Sequence, residues 1–160
     1  MVMNDMAYHS TIRGVLILVH GVGIFVRGAS GSGKSLAALH LMRRGHFLVA
    51  DDVVEVVPGP AGEPLGKALE SDVRIEVRGL GVFAGELLFP GATAPLSRID
   101  LVVDLDVYDA ARDSGRVGLE TTRTFLLGHE LPAVRIPLPA GGDAALMIEL
   151  VARLHRAQDG

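Results

Sequence analysis

Residues 28–35, Gly-Ala-Ser-Gly-Ser-Gly-Lys-Ser, fill every position of the pattern G-x-x-x-x-G-K-[S/T]. That pattern constrains the fold because it works in one context, a strand feeding a glycine-rich turn that opens a helix. Both neighbours are readable. "GIFVR" (23–27) has the apolar character of a buried strand, and "KSLAALHLMRRG" (34–45) has helical apolar spacing up to Gly45. Glycines let successive backbone N–H groups curl around phosphate oxygens without Cβ clashes, and the helix N-terminus adds partial positive charge. Gly28, Ala29, Ser30, Gly31, Ser32, Gly33, Lys34 and Ser35 are therefore expected to form a phosphate cradle. Lys34 is placed to bridge β- and γ-phosphates, and the Ser35 hydroxyl to ligate Mg²⁺.

The flanking segments read as mostly strands. "IRGVLILVHGVGIFVRG" (12–28) gives two, broken at His20–Gly21 as a hairpin. "HFLVA" (46–50) is a buried strand running into Asp51–Asp52, and "VVEVV" (53–57) is another, followed by a Pro/Gly turn region. "VRIEVRGLGV" (73–82) alternates like a strand and then breaks at its glycines. "LLFPGATAPLS" (87–97) reads as loop, "RIDLVVDLDVY" (98–108) as a strong strand, and "DAARDSGRVG" (109–118) as a polar, mobile segment. "VRIPLPA" (134–140) is a last short strand. A C-terminal amphipathic helix starts near Asp143 and is expected to turn Met147, Leu150, Val151 and Leu154 to the core. Few helices among many strands argue against regular alternation. The expectation is one α/β domain over residues 1–160, with a mixed, strand-rich sheet and two principal helices.

Composition narrows the function classes. The chain carries no cysteine, which removes disulfides, a thiolate nucleophile and a cysteine-based zinc site. Its net charge of −4 offers no basic field for nucleic acid. "GVLILV" and "GVGIFV" are too short to span a membrane, and "MVMNDMAYHSTIRG" does not read as a secretory signal, so a cytoplasmic setting is expected.

Asp51 and Asp52 follow a strand that lies one helix beyond the loop. A carboxylate there serves magnesium or its water, and a second accepts a proton from a hydroxyl acceptor. The plain structural alternative is that the pair caps a turn. Small-molecule kinases also carry an early acidic pair, so spacing leaves the phosphoryl acceptor open.

Longer stretches narrow it. "GVGIFVRGASGSGKSLAALHLMRRGHFLVADDVVEV", "IEVRGLGVF" (75–83), "SRIDLVVDLDVYDAARDSGRVGLE" and "LPAVRIPLPAGGDAALMIELVARLH" together resemble, in order and spacing, the catalytic part of the bacterial HPr kinase/phosphorylase family. The resemblance runs from about residue 12 to the end and reads as a short form without the N-terminal domain of many members. It implies a phosphate-loop fold similar to phosphoenolpyruvate carboxykinase. It also implies a hexameric homo-oligomer that phosphorylates a serine of the carrier protein HPr from ATP or pyrophosphate with Mg²⁺, and reverses the reaction by phosphorolysis.

Carried onto matching positions, the resemblance implies that Lys34 grips phosphates, Ser35 and Glu76 serve Mg²⁺, Asp51 is general base and Asp52 its support. Arg78 and Gly79 belong to the signature loop, and Arg116 to a segment that aids dephosphorylation. Taken alone, Glu76 and Arg78 would read as a solvent-facing pair on one strand face. The sequence departs from the family at Arg13, where members usually carry a catalytic histidine; His9 and His20 are out of register. Arginine binds phosphate but relays no proton near neutral pH. His46 is expected to position its strand rather than react, and His40, His129 and His155 read as ordinary histidines. Two further readings stay open: a kinase of a small hydroxyl compound such as free serine, and a nucleotide-sensing module that binds a partner without catalysis.

Overall fold

The computed structural model describes residues 10–159. Strands β1 (Ser10–Arg13), β2 (Val15–Val19) and β3 (Val22–Arg27) precede helix α1 (Lys34–Arg43). They are followed by β4 (Phe47–Ala50), β5 (Val53–Pro58), β6 (Pro64–Lys67), β7 (Arg74–Val77), β8 (Gly81–Ala84), the single-turn α2 (Gly85–Leu88) and β9 (Ser97–Arg98). The chain closes with β10 (Leu101–Val107), the short α3 (Ala110–Asp113), β11 (Glu120–Leu126), β12 (His129–Leu138) and α4 (Ala144–Asp159).

Strands β11-β12-β10-β3-β2-β4 form a central sheet in that order. β12, β10 and β3 run parallel, and the remaining pairs are antiparallel. A second sheet, β1-β5-β6-β9, is antiparallel throughout, and β7–β8 is a separate hairpin. The mixed, strand-rich α/β expectation holds, with α1 and α4 as the principal helices.

Side chains alternating along a strand explain the layering. Val15, Ile17 and Val19 of β2 and Val22, Ile24 and Val26 of β3 join Leu41 of α1 and Ile148 of α4 in one buried cluster. Leu16 and Phe25 point the other way, onto Val54, Val56 and Ile99 beside the second sheet. The middle strands β2, β3 and most of β10 are thus buried on both faces, which is why β2 and β3 read as unbroken apolar runs. Fully burying such a side chain stabilises the fold by about 1.5–3 kcal/mol. Gly23 is required where β3 meets β9: a Cβ there would land on the Arg98 carbonyl oxygen.

Four expectations need correction. On α4 only Val151 of the four expected core residues is buried; Met147, Leu150 and Leu154 are exposed. The buried arc is instead Ala145, Ile148, Val151 and Ala152, because small alanines let the helix lie close to α1 and β3. The segment 87–97 begins inside a helical turn rather than in open loop, and 109–118 contains α3, whose Asp113 is buried. The strand at 134–140 is the second half of a ten-residue β12, lengthened by pairing with β11. Among the described residues no helix is long and apolar enough to cross a membrane. His9 lies outside the described residues.

Candidate functional site

β3 delivers the chain to Gly28 at its carboxyl end. A Cβ on Gly28 would sit 2.8 Å from the Leu105 carbonyl oxygen of β10 and 2.7 Å from Ser32 Oγ, so glycine alone lets the loop start against its neighbouring strand. The Ser32 N–H donates to the Ala29 carbonyl at 3.0 Å, and Gly31 and Gly33 take left-handed φ values of 83° and 98°. Ala37 N–H closes the first turn of α1 on the Gly33 carbonyl at 2.9 Å. Lys34 arches back over the loop, its Nζ donating to the carbonyls of Gly28 and Ala29 at 2.8 and 3.0 Å. Ser32 Oγ is buried without a hydrogen-bond partner among the described residues. Just before the loop, Arg27 is held bidentately by Asp104 of β10 at 2.7 and 3.0 Å.

Beyond α1, β4 runs antiparallel to β2 and brings Asp51 to the loop. The chain then reverses within three residues: the Val53 N–H donates to the Asp51 carbonyl at 2.8 Å around Asp52, whose φ is 69°. This is a γ-turn with a non-glycine residue in left-handed space, a strained geometry of the kind that accumulates at functional sites. It turns Asp51 inward and Asp52 outward.

Asp51 is half-buried. Ser35 Oγ donates to its Oδ1 at 2.7 Å, and the Glu76 backbone N–H donates to its Oδ2 at 3.2 Å. Burial pushes the Asp51 carboxyl above the ordinary aspartate range, the charges of Asp52 and Glu76 add to the push, and the two hydrogen bonds oppose it. A carboxylate made more basic yet held in place is what proton exchange with a hydroxyl needs. Outside it, Asp52 meets Arg13 Nη1 at 3.2 Å (Oδ1) and 3.4 Å (Oδ2), both side chains largely exposed.

Glu76 lies on β7 and is exposed, while Arg78 and Gly79 form the turn to β8, with Gly79 at φ 90°. Arg78 therefore does not share a strand face with Glu76; the strand ends at Val77 because the hairpin needs its turn there. Ser35, Asp51 and Glu76 offer a hydroxyl and two carboxylates, a hard oxygen set that fits Mg²⁺.

Arg116 leaves from the same carboxyl edge of the parallel strands, in the loop between α3 and β11. Its Nη1 pairs with Glu120 at 3.1 Å, and among the described residues it touches neither Asp51 nor Lys34. The anchor of that loop is one the sequence reading missed. Arg135 of β12, nearly buried, binds Asp113 at 2.7 Å, Asp106 at 2.9 Å and Glu120 at 3.4 Å. Hydrogen bonding to Arg135, with help from the Asp109 backbone, lowers the Asp113 carboxyl to about 2. The one visible signal was a charge at position 135 inside an apolar strand. His46 is buried, with its Nε2 2.8 Å from Glu149 Oε2.

Strand, glycine loop, helix and an acidic pair in the turn after a nearby strand define an α/β phosphate-loop domain with a mixed sheet. Residues 4–160 match the model of the HPr Serine kinase C-terminal domain family, and the chain belongs to that family. It is 41% identical over 155 residues to the HPr kinase/phosphorylase of Geobacillus thermodenitrificans, covering 96% of this chain and 50% of that protein. The HPr kinase/phosphorylase of Alkaliphilus metalliredigens is 40% identical over 149 residues, covering 91% of this chain and 48% of its own length. The chain thus spans about half the length of these curated relatives. The fold matches the Hpr(Ser) kinase/phosphatase of Coxiella burnetii with a TM-score of 0.83 at 23% identity, over 93% of this chain and 92% of that one.

Proposed function

We propose that this chain is a single catalytic domain that phosphorylates a serine of HPr or an HPr-like phosphocarrier from ATP, or from pyrophosphate, and reverses the transfer by phosphorolysis. The observation that carries the reading is the convergence of the Ser35 hydroxyl and the Glu76 amide on a half-buried Asp51, next to a complete glycine loop. A cytoplasmic setting and a hexameric assembly, both implied by the family, belong to the same reading.

The loop amides, Lys34 and Ser32 Oγ hold the donor phosphates and lose no energy to reorganisation as charge shifts. Ser35 and Glu76, with Asp51 beside them, would hold Mg²⁺, which when bound would neutralise charge on the phosphate oxygens. Asp51 accepts the proton of the acceptor serine as its oxygen bonds to the γ-phosphorus and the bond to the β-phosphate oxygen breaks. In reverse, phosphate attacks the phosphoserine, pyrophosphate forms, and Asp51 returns the proton to the departing serine oxygen. Asp52 and Arg13 flank this exchange, with Arg13 gripping phosphate. Arg78 and Gly79 shape the hairpin beside it, and Arg116 completes the site from the loop that Arg135 anchors.

The test is transfer of label from γ-labelled ATP to a panel of HPr-type proteins with Mg²⁺, with Asp51→Asn as control. Label on a partner serine, lost in Asp51→Asn while ATP binding persists, supports the reading. ATP turnover only with small hydroxyl compounds would shift it to a small-molecule kinase. ATP binding with no transfer to any acceptor would leave a nucleotide-sensing module.

A further inference from the structure

At the end of β3 opposite the glycine loop, three elements bring metal-binding side chains together. His20 sits in the two-residue turn between β2 and β3, His46 precedes β4, and Glu149 projects from α4. One ligand atom from each lies within 4.8 Å of the other two. His46 and Glu149 are more than nine-tenths buried, and the His20 and His46 rings meet edge to face with centroids 4.7 Å apart. The cluster lies about 20 Å from the glycine loop, the length of a six-residue strand, and so is separate from the site described above.

Two features go beyond a buried ion pair. His20 Nε2 is buried and has no hydrogen-bond partner among the described residues. Buried polar atoms are seldom left so, and an orphaned imidazole nitrogen calls for an occupant. In addition, His20 holds φ 51° and Gly21 φ 78°. That turn favours Asn-Gly, and a histidine tolerated there keeps its ring directed at His46.

We infer that His20, His46 and Glu149 form a site for a transition-metal dication of the zinc type, with water or an outside donor in the fourth position. Two imidazoles and one carboxylate suit zinc, whereas hard Mg²⁺ prefers the oxygen set of Ser35, Asp51 and Glu76. Arg44 Nη2 takes Glu149 Oε1 at 2.6 Å, orienting the carboxylate and leaving Oε2 toward His46. The cations facing the cluster, Arg44, Arg153 and Arg156, oppose a divalent ion; Arg156 is partly occupied in donating to the His20 carbonyl at 2.7 Å. Ligation through His46 Nε2, which lies 2.8 Å from Glu149 Oε2, calls for the neutral ring with its hydrogen on Nδ1. The ion would clip the hairpin end, the strand after α1 and the C-terminal helix together.

The full chain is stripped with chelator and titrated with Zn²⁺ in excess Mg²⁺ by calorimetry, with Co²⁺ absorption reporting nitrogen ligation. One ion per chain, a nitrogen-ligated Co²⁺ spectrum and a raised Tm are expected. His20→Asn keeps the left-handed turn and should weaken Zn²⁺ at least about tenfold, as should Glu149→Gln, while Asp51→Asn binds it like the parent. No saturable Zn²⁺ binding overturns the inference and leaves a water-filled hydrogen-bond cluster. Binding unaffected by His20→Asn but lost in Asp51→Asn overturns it too, because the ion then sits among the phosphate-site oxygens.

Discussion

The Ser35 hydroxyl donates to Asp51 Oδ1 at 2.7 Å, tying the first turn of α1 to the carboxyl end of β4. A proposed Mg²⁺ ligand and the proposed base are therefore one mechanical unit. Ser35→Ala removes the donor and one of the two hydrogen bonds that hold the Asp51 carboxyl down. Phosphoryl transfer should fall about 10²-fold or more, the scale of losing one group from a phosphate-stabilising set, and the Mg²⁺ requirement should rise. Titrating Mg²⁺ against the initial rate checks this; a variant that matches the parent at every Mg²⁺ level would remove Ser35 from the site.

The position of Asp51 on the pH scale gives a second outcome. Burial raises its carboxyl above the ordinary aspartate range. Only the ionised form accepts a proton, so forward transfer should fall as pH drops through that raised value. The acid limb should lie above the range of an exposed aspartate, and it should move higher still in Ser35→Ala. In Asp51→Asn the limb should vanish with a loss of about 10²–10⁴ in rate. A kcat/KM profile from neutral pH into acid distinguishes the cases.

Arg13 and Asp52 are both largely exposed, and an exposed ion pair contributes about 0–1 kcal/mol. Arg13→His should therefore leave Tm nearly unchanged, so kinetic effects can be read without a folding correction. The exchange replaces a fixed charge with a group able to relay a proton near neutral pH. The ratio of phosphorolysis to forward transfer should rise in Arg13→His and acquire a neutral-range inflection absent from the parent. Comparing the two directions at several pH values is the check; an unchanged ratio means position 13 only grips phosphate.

What could be read from the sequence is what depends on local pattern. Residues 28–35 declare their turn because only glycines allow its φ values, and β2, β3, β4 and β10 declare themselves by apolar runs buried on both faces. Partnerships between distant segments could not be read. β11 is mostly exposed and carries no apolar run to announce it, and β8 exists only as the return strand of β7. On α4, residue size misled: Met147, Leu150 and Leu154 are the larger apolar residues, yet close helix packing selected the alanines. In the site, the chemistry of Asp51 was legible from its neighbours in sequence, but its bond from the Glu76 amide needed the β7–β8 hairpin folded over it. Arg135 escaped for the same reason, since its partners Asp106, Asp113 and Glu120 are spread over three other elements or loops.

That arginine supports the last prediction. Asp113 is buried on α3, its carboxyl held at about 2 by hydrogen bonds from Arg135 and the Asp109 backbone. A depressed carboxyl stabilises the fold above its unfolded value, about 3.9 for aspartate. That stabilisation is lost as pH falls from there through about 2. Asp113→Asn keeps the shape but leaves the nearly buried Arg135 guanidinium short of its closest counter-charge, so Tm at neutral pH should drop. Between pH 4 and 2 the parent should lose more stability than the variant, and the two melting curves should converge. If the loop pinned by α3 carries Arg116 into the site, phosphorolysis should suffer more than forward transfer in Asp113→Asn. Parallel melting curves across the acid range would show that Asp113 is not the group whose protonation loosens this corner of the domain.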